Sequence, residues 1–184
     1  MIVSSDDHPE GRMRKPVPLY GSLREGDVVL RPISLQDIEM LRRWRARDDV
    51  RVWFGDQNVV TAEAQRRWFE HYLARPDDVM FTIALGDVPV GAVALYAIDF
   101  PAGDAEYGRL MIGEPAARGK RVADRASEAL CAWGFGDLGL SRIHLWVREE
   151  NRPAIALYDR IGFEMRAAPS IREGFLFMER RALP

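Results

Sequence analysis

The sequence predicts an α/β (α+β) domain with a central mixed, mostly antiparallel sheet of six to seven strands and helices on both faces. Three observations predict it. Strand-like and helix-like segments alternate in the order β-α-α-β-β-β-α-β-α-β-β. One step of that order, a strand–helix–strand passage from residue 105 to residue 147, requires a parallel pair. The strands before it are joined by short turns, which make antiparallel pairs. The 184 residues are 47% hydrophobic, enough to bury one core and too few for several domains.

The elements follow in chain order. Residues 1–27 are polar and carry Pro9, Pro16, Pro18, Gly11, Gly21 and Gly26. They are expected to form a flexible or partly docked extension, with the domain proper at 28–184. Val28-Val29-Leu30-Arg31-Pro32 reads as a strand that closes at its proline. Ser34-Leu35-Gln36-Asp37 is a capping-box pattern, and Leu35, Ile38, Leu41 and Trp44 follow at helical spacing. Thr61 opens a second helix, with Ala64, Trp68 and Tyr72 in one row and Phe69 and Leu73 beside it. Pro76 stops that helix.

Strands are expected at 79–85, 90–98 and 105–112. The second of these is nearly continuous in apolar residues, as in a strand buried on both faces. Gly86-Asp87 marks the turn between the first two. A third helix is expected at 122–133, with Val122, Ala126, Ala129, Leu130 and Trp133 on one face. In the strand at 142–147, Ile143, Leu145 and Val147 share a side. A helix at 152–161 ends before Gly162, where a left-handed residue belongs. Strands near 163–166 and 174–179 close the chain.

Composition excludes several function classes. Lys+Arg 26 against Asp+Glu 28 gives a net charge of −2, which argues against a phosphate-driven nucleic-acid binder. The single Cys131 rules out a disulfide framework and a zinc ribbon, and its place on the third helix suits packing. No apolar run approaches the ~18 residues of a membrane span. The acidic, core-less N-terminus does not read as a signal peptide, so a cytoplasmic protein is expected. No His and carboxylate share metal-ligand spacing, so no metal is expected.

Two segments carry chemistry. Residues 113–123, G-E-P-A-A-R-G-K-R-V-A, join a strand end to a helix start. Free amides and the helix dipole there suit an anion such as a pyrophosphate, although a solvated loop with chance cations reads equally well. Residues 151–163, N-R-P-A-I-A-L-Y-D-R-I-G-F, begin with Asn151 as a cap and Pro153 in the first turn. Taken alone, Tyr158 there reads as a packing aromatic with a wet hydroxyl.

Together, in this order and at this distance, the segments resemble the GNAT superfamily of acyl-CoA-dependent N-acyltransferases over about residues 28–180. Residues 151–163 match that family's N-x-x-A-x-x-L-Y-x-x-x-G-F pattern at every defined position. Residues 118–123 match its R/Q-G-x-G-x-G/A loop, except that Arg121 replaces the second glycine. A left-handed backbone there would disfavour arginine.

The resemblance implies the following roles. Acetyl-CoA would be the co-substrate. The backbone of Met111, Ile112 and Gly113 would pair with its pantetheine arm. Backbone amides of Arg118, Gly119, Lys120, Arg121, Val122 and Ala123 would hold its pyrophosphate, and Asn151 would contact its arm. Tyr158 would protonate the departing thiolate. The amine attacks the thioester directly, so a base is needed. Glu106 is the candidate, with a solvated strand carboxylate as the other reading; Asp104 and His71 are lesser candidates.

In this superfamily the first two helices and their loop roof the acceptor. Here Trp44-Arg45, Val50-Arg51 and Trp53-Phe54 resemble the N-acetyltransferases of nucleotide-linked 4-amino sugars, close to the ribosomal-protein and spermidine branches. Trp53, Phe54 and His71 are the candidate substrate contacts. Arg45, Arg47 and Arg51 could bind phosphates bidentately, but are rather expected to pair with Asp48 and Asp49 on a wet surface. The expected acceptor is a small primary amine, an amino sugar or its nucleotide conjugate. Protein N-termini, polyamines and a non-catalytic acyl-CoA-binding module are the alternatives. A monomer or homodimer is expected, with no nucleic-acid or membrane partner.

Overall fold

The hydrophobic periods resolve, in a computed structural model that describes residues 21–183, into one eight-stranded sheet flanked by helices. The strands are β1 (Leu23–Glu25), β2 (Val28–Pro32), β3 (Asp78–Leu85), β4 (Val88–Asp99), β5 (Asp104–Ile112), β6 (Arg142–Arg148), β7 (Glu164–Met165) and β8 (Phe175–Arg181). The helices are α1 (Ile38–Ala46), α2 (Asp48–Arg51), α3 (Ala62–Ala74), α4 (Val122–Gly136) and α5 (Arg152–Arg160), with a 3₁₀ turn at Pro115–Ala117. The sheet order is β1-β2-β3-β4-β5-β6-β8-β7. Among the described strands only β5 and β6 run parallel, as the crossover through α4 requires.

Local signals act where they were read. Thr61 Oγ1 accepts the Ala64 N–H at 3.1 Å, and Asn151 Oδ1 accepts the Ala154 N–H at 3.3 Å. Gly162 is left-handed (φ +85°), and beyond it the Phe163 N–H returns to the Tyr158 carbonyl at 2.9 Å.

Alternation along β3 explains the two cores. Val79, Phe81 and Ile83 face α4 and α5, where they meet Leu95, Leu130 and Cys131. Met80 faces the other way, where Ala92, Ala94 and Met111 meet Leu41, Trp44, Phe69 and Tyr72 of α1 and α3. Sheet strands covered on both sides therefore read as continuous apolar runs.

Three expectations change. The sheet has eight strands rather than six or seven, because Leu23–Glu25, inside the expected extension, pairs antiparallel with β2. The rest of that extension, residues 1–20, lies outside the described residues. The first helix begins at Ile38, not at Ser34. The Asp37 carboxylate turns back to the Ser34 N–H and hydroxyl, both at 2.7 Å, and to the Arg31 guanidinium at 2.6 and 2.9 Å. Residues 34–37 thus form a turn, and Leu35 is 61% exposed instead of buried. The four-residue α2 was not expected, being too short to show a period.

Two bulges shape the centre of the sheet. Arg109 and Leu110 on β5 oppose the single Val93 of β4, with Arg109 left-handed (φ +52°). Ala97 and Ile98 on β4 likewise oppose Ala105, with Ala97 at φ +49°. β5 and β6 pair only from Asp104–Glu106 to Arg142–His144. Beyond Glu106, β5 follows β4 and β6 follows β8, so the two strands part and a cleft opens between them.

Candidate active site

The cleft has a volume of about 700 Å³ and is walled by both diverging strands, α2, the start of α4 and α5. Its lining brings together Glu106, Met111, Ile112, Arg118, Ala123, Asn151 and Tyr158, and from the roof Trp53 and Phe54. These positions lie as far apart in sequence as residues 53 and 158.

Tyr158 comes from the inner face of α5. It is 8% exposed, and its ring packs edge-on against Tyr107 at 5.7 Å and tilted against Phe163 at 5.9 Å. Burial, with a smaller contribution from Cys131, raises its pKa well above the ordinary phenol value. Tyr158 therefore stays a neutral O–H donor through the physiological range. Cys131 is fully buried, and that burial pushes its thiol up to about 12, which suits packing and not nucleophilic work.

Glu106 stands beside Tyr96 in the β4–β5 register, and the Tyr96 hydroxyl donates to Glu106 Oε1 at 2.8 Å. Gly108 makes room for that ring, since a Cβ there would lie 2.8 Å from the Tyr96 oxygen. Arg109 covers the other side of the ring at 4.5 Å and is gripped by Asp78 through two bonds of 2.7 and 2.9 Å. Burial first, then the Glu106 charge and hydrogen bond, raise the Tyr96 pKa, against Arg109 and Arg172. Tyr96, too, remains a donor to the carboxylate.

At the far end, Gly119 (φ +75°) and Arg121 (φ +56°) are both left-handed and lead into α4, which no side chain among the described residues caps. Alternating hands of backbone and uncapped first-turn amides make an anion cradle. Among the described residues, no strand lies beside the β5 edge beyond Glu106 within the cleft. A long thioester carrying a pyrophosphate, such as acetyl-CoA, fits these features. Arg121 is exposed and pairs loosely with Asp124 at 3.4 Å, so the expected conflict between arginine and a left-handed backbone is present.

Other sequence-predicted residues lie differently. Gly113, Gly119, Lys120, Arg121 and Val122 do not line the cleft. The Gly113 N–H is bonded to the Val90 carbonyl at 2.9 Å, and its own carbonyl accepts from Arg47 at 3.3 Å. The Ile112 carbonyl accepts from Arg118 at 3.2 Å. His71 is exposed on α3, bonded through Nδ1 to the Arg67 carbonyl at 2.7 Å, and stands outside the lining. Asp104 is held by Arg142 at 2.7 Å and by His144 at 3.2 Å.

The roof arginines divide. Arg51 pairs with Asp48 at 2.6 Å and Arg47 with Asp49 at 3.1 Å, as expected. Arg45 instead bonds the Asp56 carbonyl and stacks 4.0 Å over Phe54. Sequence reasoning missed Tyr96, Gly108, Arg109, Trp146, Arg148, Arg172 and Phe175 in the lining. Trp146 and Arg148 had a signal, since they alternate with the buried Leu145 and Val147. Arg172 and Phe175 had none, because a long-range strand pairing brings them in.

Comparison with known proteins agrees with this architecture. Residues 27–164 match the family model of the acetyltransferase (GNAT) domain. Spermidine N(1)-acetyltransferase of Escherichia coli (strain K12) is 27% identical over 139 residues, 75% of this chain and 73% of that protein. Human alpha/beta-tubulin-N-acetyltransferase 9 is 29% identical over 102 residues, 55% of this chain and 47% of that protein. In fold, a crystal structure of spermidine N-acetyltransferase from Vibrio cholerae in complex with CoA and spermine is similar, with a TM-score of 0.76 at 19% identity. It covers 85% of this chain and 96% of that one. The matched family spans most of the chain, including the diverging strands and the α4 loop, so the protein belongs to the GNAT family and is an acetyl-CoA-dependent N-acetyltransferase.

Proposed function

We propose that the protein acetylates a primary amine of a small molecule, an amino sugar or a nucleotide-linked amino sugar, by direct attack of the amine on the thioester. The observation that carries this reading is the common cleft of Glu106 and Tyr158, set between the uncapped start of α4 and the aromatic roof of Trp53 and Phe54. Acetyl-CoA, when bound, supplies an activated acyl carbon and a thiolate leaving group. Backbone amides of residues 118–123 hold its phosphates, and Asn151 contacts its arm.

Glu106 takes the proton that the amine sheds, and Tyr96 orients the carboxylate for it. Tyr158, a neutral phenol whose pKa burial raises further, donates its hydroxyl to the charge developing on sulfur. Trp53 and Phe54 offer faces on which a sugar ring can stack.

A second reading, polyamine acetylation, is favoured by the Escherichia coli relative. The charge of the lining speaks for the first. Of its arginines, Arg109 is tied to Asp78 and Arg118 to Asp49, which leaves Arg148 and Arg172 against the single carboxylate of Glu106. A polycation is repelled by such a wall. Thiol release measured with amino sugars, polyamines and N-terminal peptides decides between them. Amino sugars should give the highest kcat/KM; a clear preference for spermidine would transfer the assignment to the second reading.

A further inference from the structure

We propose that the acceptor end of the cleft reads a negative charge on the substrate, with Arg148 and Arg172, set on Trp146 and Phe175, binding a phosphoryl or carboxylate group that the amine carries. This rests on the amine-acetylating reading of the cleft and names the chemistry to which the amine is attached.

The site arises from strand register. On β6 the side chains of Ile143, Leu145 and Val147 are buried in the core under α4 and α5. Trp146 and Arg148 therefore project from the opposite face, the one on which the acceptor side of the cleft opens. β8 runs alongside with Phe177 opposite Trp146 and Phe175 opposite Arg148. The Arg148 guanidinium lies 5.1 Å from the Phe175 ring centre. From the segment between β7 and β8, Arg172 folds back to 4.6 Å from the Trp146 centre and 5.9 Å from Phe175.

These two arginines differ from the others in the lining. Arg109 is bonded twice to Asp78, and Arg118 is bonded to Asp49. Among the described residues, neither Arg148 nor Arg172 has a carboxylate partner, and the Arg148 Nε is buried without a hydrogen-bond partner. A guanidinium half-covered by an aromatic ring loses water and keeps its donor fork in a fixed plane. Bidentate bonding to a phosphate or carboxylate is the chemistry that satisfies such a fork. The site reaches the candidate base: the Arg172 charge acts on Tyr96, whose hydroxyl bonds Glu106, and all three line the same cleft. An amine bearing an anion would thus be gripped by its charged end while its nitrogen reaches Glu106. A polycation would be excluded.

The test has two arms. With CoA saturating, to fill the α4 loop, UDP and inorganic phosphate are titrated against the wild type, Arg148→Ala, Arg172→Ala and Arg172→Lys. The wild type should bind, both alanine variants at least tenfold more weakly, and the lysine variant in between. Melting temperature and acetyl-CoA affinity are read on each variant to exclude misfolding. Absence of wild-type binding, or undiminished binding in both alanine variants, overturns the proposal.

In the second arm, kcat/KM is compared for glucosamine against glucosamine 6-phosphate, for an amino acid against its amide, and for spermidine. Preference for the anionic member, falling at least tenfold in the alanine variants, supports the site. Which pair shows it tells phosphate from carboxylate. Preference for spermidine or for the neutral members overturns it. If none of these amines is acetylated while UDP binding behaves as expected, the small-amine acceptor reading fails and the anion site stands.

Discussion

The Trp44 indole lies directly against the Gly113 backbone, so closely that a Cβ on Gly113 would overlap the ring. Its Nε1 also donates to Glu114 Oε1 at 2.8 Å. α1, which we propose roofs the acceptor, is thereby seated on the end of β5, where the proposed cofactor loop begins. Arg47 to the Gly113 carbonyl and Asp49 to Arg118 add two more ties across the same seam. These ties are expected to couple the two segments.

Gly113→Ala tests this seam. Overpacking of this kind costs ~1–3 kcal/mol. The variant should melt lower, and acetyl-CoA affinity and acceptor KM should worsen together. A change in one binding constant alone would mean that the seam does not couple the two.

Arg121 sits at φ +56°, a conformation that costs a non-glycine residue ~1 kcal/mol. Its side chain is exposed, and its 3.4 Å pairing with Asp124 contributes little. Arg121→Gly should equal or exceed the wild type in stability and in acetyl-CoA affinity. Arg121→Ala, which keeps the strained backbone, should be about 1 kcal/mol less stable than the glycine variant. Collapse of affinity in both would make the Arg121 side chain itself a phosphate ligand.

Tyr158→Phe retains the ring that packs on Tyr107 and Phe163 and removes only the hydroxyl. Turnover should fall ~10²-fold or more, as for loss of a proton donor. Acetyl-CoA affinity should stay within a few-fold. Because burial raises the phenol pKa, the wild-type rate should show no alkaline decline from Tyr158 below the ordinary tyrosine value of 10.0. Full activity in the variant would leave Tyr158 a packing residue.

Trp53 is 41% exposed and lines the cleft, so Trp53→Ala should raise acceptor KM several-fold while melting temperature barely moves. The lost stacking is worth on the order of 1 kcal/mol. Phe54 also packs against the α1–α3 core and carries Arg45, so Phe54→Ala should lose stability as well. Unchanged acceptor KM in the Trp53 variant would remove it from the site.

Asp37 sets a pH dependence of stability. Burial opposes its charge, but the Arg31 and Ser34 hydrogen bonds outweigh burial and hold the carboxyl below its ordinary range. A depressed folded pKa contributes stability above the unfolded value, and that contribution is lost as pH falls through the folded one. Asp37→Ala should cost ~1 kcal/mol at pH 7, since the half-buried Arg31 and Ser34 donors lose their acceptor. The gap between variant and wild type, read by denaturant melts, should hold down to about the unfolded carboxylate value of 3.8 and shrink only below it.

Much of the fold was legible in the residues because its signals are short-range. Caps at Thr61 and Asn151, the left-handed Gly162, the two-residue turn at Gly86-Asp87 and the apolar rows each act within one or two turns of chain. The crossover from β5 through α4 to β6 follows from chirality once the elements are known. The segments of residues 113–123 and 151–163 were likewise readable, as contiguous stretches with a family resemblance. Elements of three or four residues, β1 and α2, were not, because they hold too few repeats for a period to show.

What tertiary structure alone decided is which surfaces face the cleft. The helical period of α3 marks His71 as lying off the buried row but cannot say what the far side meets; it meets solvent. Glu106 was a lone carboxylate until the β4–β5 register set Tyr96 beside it. Arg148 and Arg172 were two of many arginines until β8 paired with β6 and carried Phe175 beneath them. Register and bulges arise from contacts between residues distant in sequence. The local pattern of residues therefore determines which elements form, and the long-range pairing determines which side chains stand together.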